Sequence, residues 1–208
     1  MKKVLRALRH SLPVLNHPIA GFYSIRFEGA GNVISCFILL IMLVTAFVFQ
    51  RQYSGFIFNT NNIKEFNIIK EVSSVLMPIL LWCAANWSVT VLMDGEGRFR
   101  DIFMATSYAT VPYMISLFIS VIGSRFLSME EATFLQLVIG IGLVFTALLL
   151  FSGIMTVHQF TVTKTVFSII LTILGMVFIV FLALLLAGVF DQLLVYISGI
   201  VTEIQLRM

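Results

Sequence analysis

Residues 94–101, the glycine turn, carry the densest set of groups in this chain that could bind a ligand. Asp94, Glu96 and Asp101 offer carboxylates to a calcium ion, and Gly95 with Gly97 offers backbone N–H groups to a phosphate. A helix-loop-helix calcium site needs oxygen ligands at five or six set positions and a closing glutamate, which this segment lacks. A phosphate loop needs a longer glycine pattern and a lysine. We therefore interpret the segment as a turn with mixed charges at a membrane face.

Two apolar segments flank this turn and together carry a strip of polar side chains. The strip consists of Asn86, Ser88, Thr90, Ser107, Tyr108 and Thr110. Polar side chains of this kind hydrogen-bond between neighbouring membrane helices, and the alternative is a small polar pathway for a solute. His158 is far in sequence from His10 and His17, Cys36 and Cys83 lie in apolar segments, and no Gly-x-Ser-x-Gly motif occurs. We expect no enzyme activity, no metal and no cofactor.

The elements that position these residues are predicted from the composition. Apolar residues make up 60% of the chain and charged residues 11%, whereas a soluble domain has roughly 25% charged residues. The charged residues leave five long uncharged intervals, at residues 29–50, 72–93, 102–124, 132–163 and 165–190. Each reaches the ~20 residues that a membrane helix needs, and none alternates as barrel strands do. The sequence predicts an all-α polytopic membrane protein with five transmembrane helices.

Both termini are predicted to form amphipathic helices at the membrane interface, flanking a five-helix transmembrane domain at residues 32–188. Bases alternate with aliphatic residues early in the N-terminal segment, residues 1–31, and aromatic residues follow. Its predicted interfacial residues are Lys2, Lys3, Arg6, Arg9, Phe22, Tyr23 and Arg26. In residues 189–208 apolar side chains recur every three or four positions, which predicts a separate C-terminal helix with Glu203 and Arg207 at the interface.

The distribution of Lys and Arg residues predicts the orientation of the chain in the membrane. A cytoplasmic N-terminus places most of them on the cytoplasmic side, as the positive-inside rule requires. Five spans then put the C-terminus outside.

With these motifs the chain resembles the Yip-domain family, whose eukaryotic members interact with Rab-type GTPases. The resemblance rests on five spans, Asn86, the glycine turn, residues 108–112 from Tyr108 to Pro112, and residues 18–22. It implies a non-enzymatic membrane protein that acts through partners. Because the long N-terminal region of the eukaryotic members is lacking, we do not expect a Rab-type GTPase as partner. The chain is similar to short bacterial members, which implies a cell (plasma) membrane.

Two functional hypotheses follow from the residues and the resemblance. The first is a non-catalytic accessory or scaffold subunit of a membrane complex, for example a transport complex. Its partners would be the lipid bilayer and other membrane proteins, such as an ABC transporter permease, and no nucleic acid. The alternative is a small-solute or lipid transporter, or a channel-like protein, that uses the polar strip. The candidate residues for partner contact or for the pathway are Asn86, Ser88, Asp94, Gly95, Gly97, Tyr108 and Pro112.

Overall fold

The computed structural model describes residues 8–55 and 67–207, and within these ranges the chain is helical, with no strand. Its α-helices are α1 (Ser11–Asn16), α2 (Pro18–Phe27), α3 (Val33–Tyr53), α4 (Ile68–Leu92), α5 (Phe99–Ala109), α6 (Val111–Gly123), α7 (Ala132–His158) and α8 (Val162–Arg207). Five segments are long and apolar enough to cross a membrane: Val33–Tyr53, Ile68–Leu92, Phe99–Gly123, Ala132–His158 and Val162–Gly199. The predicted all-α fold with five transmembrane helices is confirmed.

The third span is the centre of the bundle. It is 72% buried, whereas the fifth span is only 6% buried. Helix α3 packs on α5 and α6, α7 packs on α2, α5 and α6, and α4 packs on α3, α5 and α8. The largest fully buried side chains therefore lie on or beside the third span, and they include Phe22, Ile102, Tyr108, Leu117, Leu149 and Ile154.

A break at Thr110 divides the third span into α5 and α6. Pro112 lacks an N–H group, and its ring disfavours a continuous helix across this point. The Tyr113 N–H, close to the break, donates to Thr146 Oγ1 of α7 at 3.2 Å. A neighbouring helix thus supplies a hydrogen-bond partner at the break, as an apolar environment requires.

The fourth span ends at His158, within the predicted uncharged interval 132–163. Helix α7 stops at His158 because Gln159 adopts a left-handed conformation, with φ of 54°. The Phe160 N–H then bonds back to the Met155 carbonyl oxygen at 3.0 Å. This left-handed cap leaves a short turn before α8 begins at Val162.

Helix α8 corrects the predicted boundary at residue 189. It runs without a break for 46 residues, so the C-terminal segment is helical but is not a separate helix. Gly188 is a weak helix breaker that costs about 1 kcal/mol, which is too little to end a helix without a proline. At 1.5 Å per residue α8 is about 69 Å long, more than twice the ~30 Å thickness of the hydrocarbon core.

The N-terminal segment also differs from the predicted interfacial helix. Helices α1 and α2 form a hairpin, in which a Cβ atom on Gly21 would lie 2.7 Å from Val14 Cα. Phe22 is fully buried, because Gly153 of α7 leaves room for its ring: a Cβ atom there would lie 3.2 Å from Phe22 Cζ. The prediction that Phe22 lies at headgroup depth is therefore corrected, since its ring belongs to the core.

Candidate functional site

The backbone of the glycine turn is held by its own hydrogen bonds. Asp94 follows α4 in a left-handed conformation with φ of 56°, which Asp tolerates better than most residues. The Gly95 N–H then donates to the Thr90 carbonyl oxygen at 2.8 Å and closes the helix end. At the start of α5 the Asp101 carboxylate accepts a hydrogen bond of 3.2 Å from the Arg98 N–H. Of the three acidic residues considered for calcium, Asp94 thus shapes the turn through its backbone and Asp101 through its carboxylate.

His158, at the end of α7, packs directly on the two glycines of the turn. The Gly97 N–H donates to His158 Nδ1 at 3.3 Å. A Cβ atom would lie 2.5 Å from His158 Nδ1 if it were added to Gly95, and 2.7 Å from His158 Cε1 if it were added to Gly97. Both distances are too short for a side chain, so both positions require glycine. On this face the imidazole occupies the space that a phosphate would need.

The contacts of His158 define its protonation. Because Nδ1 accepts a hydrogen bond, the ring proton lies on Nε2. The His158 side chain is 1% exposed, and Nε2 has no hydrogen-bond partner among the described residues. The ring stacks on Phe160 with centroids 5.2 Å apart, and Lys164 Nζ lies 4.5 Å from the Phe160 centroid. A histidine and a lysine at the α7–α8 turn thus share one aromatic ring.

Arg26 connects the N-terminal hairpin with the glycine turn and with α7. Its guanidinium donates to the carbonyl oxygens of Val157 and Thr156, in the last turn of α7. It also donates to the Glu96 carbonyl oxygen at 3.1 Å and lies 3.4 Å from Glu96 Oε2. A cation is favourable here because the final carbonyl groups of a helix lack partners within the helix. Arg26, predicted at the interface, therefore caps α7 and joins three segments.

The polar strip is arranged differently from the predicted pairing of the second and third spans. Asn86 Nδ2 donates to Thr172 Oγ1 of α8 at 3.0 Å. Thr172, Ser168 and Thr165 share one face of α8, and all three are fully buried. We call these three residues with Asn86 the polar seam between α4 and α8. Asn86 Oδ1 and Ser168 Oγ are buried and have no partner within the described part of the chain.

Three other residues of the strip form hydrogen bonds within their own spans. The hydroxyl groups of Ser88, Ser107 and Thr110 donate to carbonyl oxygens of their own helical segments. Tyr108 is fully buried, and the Cys83 thiol of α4 donates to Thr106 Oγ1 of α5 at 3.7 Å. The second span therefore contacts the fifth span through the Asn86 amide and the third span through the Cys83 thiol.

The remaining predicted residues lie apart from one another. Pro112 is buried at the break between α5 and α6, and Tyr23 is exposed, with its ring tilted against that of Phe27 at a centroid distance of 4.7 Å. Arg9 and Glu203 are exposed. Lys2, Lys3, Arg6 and the side chain of Arg207 lie outside the described residues. Across the described ranges no group of three or more His, Cys, Asp or Glu side chains could hold a metal ion.

Sequence reasoning missed three features of the site. The 3-4 spacing of Thr165, Ser168 and Thr172 is visible in the sequence and could have revealed the polar face of α8. By contrast, no sequence signal pairs His158 with the glycines, since the contact spans some 60 positions. The salt bridge of Arg51 Nη1 with Glu71 Oε2, at 2.6 Å, likewise joins the ends of the longest connection.

Comparison with known proteins adds a family to this geometry. A family model described as Yip1 domain matches residues 13–185, which is most of the chain. That range contains α2, the glycine turn, His158 and the polar seam. No curated protein and no solved structure matches the chain.

Proposed function

The chain belongs to the Yip1 domain family, as its sequence motifs indicated, and we propose that it is a non-catalytic accessory or scaffold subunit of a membrane complex. In this proposal the protein acts by binding other integral membrane proteins, for example subunits of a transporter such as an ABC transporter permease. The binding element is the distal half of α8, residues 181–207.

The observation that carries the proposal is the difference in burial along α8. Thr172 is the last buried residue of this helix among the described side chains, and every side chain from 181 to 199 is exposed. This stretch is apolar apart from a few positions, with Leu184 68% and Phe190 63% exposed. Helix α8 also outruns the hydrocarbon core, so lipid cannot cover all of its apolar surface. Integral membrane partners, with the parts of them that lie outside the bilayer, can cover this apolar surface.

The bundle itself supports a binding role over chemistry. The polar groups around the glycine turn and the end of α7 hold helices together: Asp94 shapes the turn, Gly97 packs on His158, and Arg26 caps α7. The amide of Asn86 is likewise committed to Thr172. Residues engaged in this way are not available as a nucleophile with its base. The proposal includes a plasma membrane location, a cytoplasmic N-terminus and an external C-terminus, following the distribution of Lys and Arg.

Site-specific photo-cross-linking in native membranes tests the proposal. A photoreactive residue at Leu185 or Leu186, both exposed on distal α8, should cross-link to one or a few integral membrane proteins. The matched position is Ile41 on α3, which is 63% exposed and lies on a different face of the bundle. The double variant Leu185→Ala, Leu186→Ala should reduce co-purification of the same proteins, whereas Leu143→Ala, Val144→Ala on α7 should not. A protein that leaves its native membrane as a monomer without companions contradicts the proposal.

The polar seam supports a second candidate, a transporter for a small solute or lipid. Asn86 Oδ1 and Ser168 Oγ are buried and have no partner among the described residues, so a permeating solute could contact them. Protein reconstituted alone in liposomes would then move its substrate, and Asn86→Leu would stop the movement. Liposomes that stay impermeable to a panel of small solutes and to labelled lipids would exclude this candidate.

A further inference from the structure

The N-terminal hairpin reaches deep along α7. Arg26 contacts Val157, and Phe22, one turn earlier in α2, contacts Gly153, one turn earlier in α7. Helices α2 and α7 therefore run side by side in the same direction. Continuing the same offset of 131 positions places His17, at the tip of the hairpin, level with residue 148 of α7, about ten residues or about 15 Å from His158 at 1.5 Å per residue. Half of the hydrocarbon core is about 15 Å thick, so the hairpin is about as long as one leaflet is thick.

A cleft of about 440 Å³ continues from this tip toward the opposite end of the bundle. Leu15 and Asn16 line the cleft at the hairpin tip. Its walls come from α6 and α7, through Pro112, Ile115, Ser116, Ile119, Val138, Ile141, Gly142 and Phe145. Its back is closed, because a Cβ atom on Gly142 would lie 2.2 Å from Ser116 Oγ. Its front is open, because Ile115 is 42% and Ile141 67% exposed.

We propose that this cleft binds one acyl chain of a membrane lipid, from the leaflet opposite the one that the hairpin occupies. A hairpin that crosses a single leaflet leaves the other leaflet beneath its tip unfilled by protein. An empty space there would forfeit the dispersion contacts of every side chain that lines it. Hydrocarbon restores those contacts, and at this depth the lipid of the second leaflet supplies it.

The chemistry of the walls favours an acyl chain over water. Eight of the ten lining residues are apolar, and the hydroxyl group of Ser116 already donates to the Tyr113 carbonyl oxygen at 2.7 Å. A water molecule needs two to four polar partners, which these walls do not offer.

The size of the cleft distinguishes an acyl chain from a partner helix. A volume of 440 Å³ falls in the range of small-molecule sites, roughly 300–1,000 Å³. A transmembrane helix with its side chains is about 10–12 Å across and would not enter this space. The proposal is independent of the proposed function, since it requires no protein partner.

The experiment uses the full chain in phosphatidylcholine vesicles that contain a small fraction of an analogue with a diazirine near the end of one acyl chain. After photolysis, mass spectrometry maps the labelled positions. Labels should concentrate on residues 112–119 and 138–145, above the level on the exposed apolar face of proximal α8 around Leu174. The analogue should label these residues when it is confined to the leaflet opposite the hairpin, and not when it is confined to the other leaflet.

Matched variants test occupancy of the cleft. Ile115→Trp fills it and should lower labelling of these residues roughly tenfold, the effect of about 1.4 kcal/mol of lost binding free energy. Ile141→Trp is a second filling variant at a more exposed position and should act in the same direction. Ile122→Trp lies on the same helix outside the cleft, is 62% exposed, and should leave labelling unchanged. Equal labelling of α8 and of the cleft, with the analogue in either leaflet, would show an adventitious lipid only and would overturn the proposal.

Discussion

Glycine serves opposite purposes in the glycine turn and in the distal half of α8. Gly95 and Gly97 are in contact with the His158 ring, and neither position has room for a Cβ atom. Gly188 and Gly199 have no atom within 4 Å of where a Cβ atom would lie. The turn is thus determined by contacts within the chain, whereas the side chains from 181 to 199 of α8 are exposed. An exposed apolar surface is where an external partner can bind without disturbing the fold.

The proximal half of α8, residues 162–180, shows a third arrangement. It buries Thr165, Ser168 and Thr172 and exposes Val166 and Phe167. This is the reverse of a soluble helix, because in lipid the apolar side chains need no burial and the polar ones do. Buried polar groups therefore hold proximal α8 to the bundle, whereas in distal α8 every side chain from 181 to 199 is exposed.

Substitution of glycine by alanine in the two regions should give the largest contrast. Gly97→Ala brings a methyl group to within 2.7 Å of the His158 ring, and such overpacking costs about 1–3 kcal/mol of stability. Gly188→Ala meets no atom, and in a helix interior the change stabilises by about 0.5–1 kcal/mol. The measurement is the melting temperature of the purified protein in detergent, which should fall for Gly97→Ala and stay level or rise for Gly188→Ala.

A fall in melting temperature for both variants would break the contrast between the two regions. It would mean that Gly188 packs against something in the purified protein, which a second copy of the chain could provide. Sedimentation of the wild-type protein and of Gly188→Ala would then show a change in oligomeric state.

The sequence predicts the five spans because the intervals without charge are a direct consequence of the cost of burying charge in lipid. It also predicts that the glycine turn is structural, since the ligand patterns of calcium and phosphate sites are absent. It misplaces Phe22, because an amphipathic segment near the terminus is compatible with both a surface helix and a buried hairpin. The deciding residue is Gly153, some 130 positions away, and no local pattern connects the two.

A smaller effect is expected from the polar seam. Asn86→Leu removes the hydrogen bond to Thr172, and hydrogen bonds between membrane helices contribute about 0.6 kcal/mol on average, up to about 1.7 kcal/mol. The melting temperature should fall modestly, and Thr172→Val should lower it by a similar amount. Ser88→Ala is the control, because Ser88 is exposed and bonds only the Ala84 carbonyl oxygen of its own helix. If the double variant loses as much stability as the two single variants added together, Asn86 and Thr172 do not act as a pair.

The sequence identifies Asn86 as a candidate but not its partner, and the reason is topological. Spans two and three are joined by a short turn and are neighbours, so the nearest polar residues in sequence are Ser107 and Tyr108. Residues that lie far apart in sequence supply the actual partner, since α8 also packs on α4. Helical spacing indicates which face of a helix is polar, and it does not say which helix that face meets.

The smallest effect, and the one whose sign is most informative, belongs to Ser168→Ala. The hydroxyl group is fully buried and has no partner among the described residues, so its removal deletes a desolvated group and no hydrogen bond. Stability should stay the same or rise by up to about 1 kcal/mol, because an unpaired buried polar group is unfavourable. A lower melting temperature would mean that Ser168 has a partner in the membrane, such as a buried water molecule that also reaches Asn86 Oδ1. The polar seam would then be a hydrated site rather than a dry contact, which is the arrangement that a pathway for a solute requires.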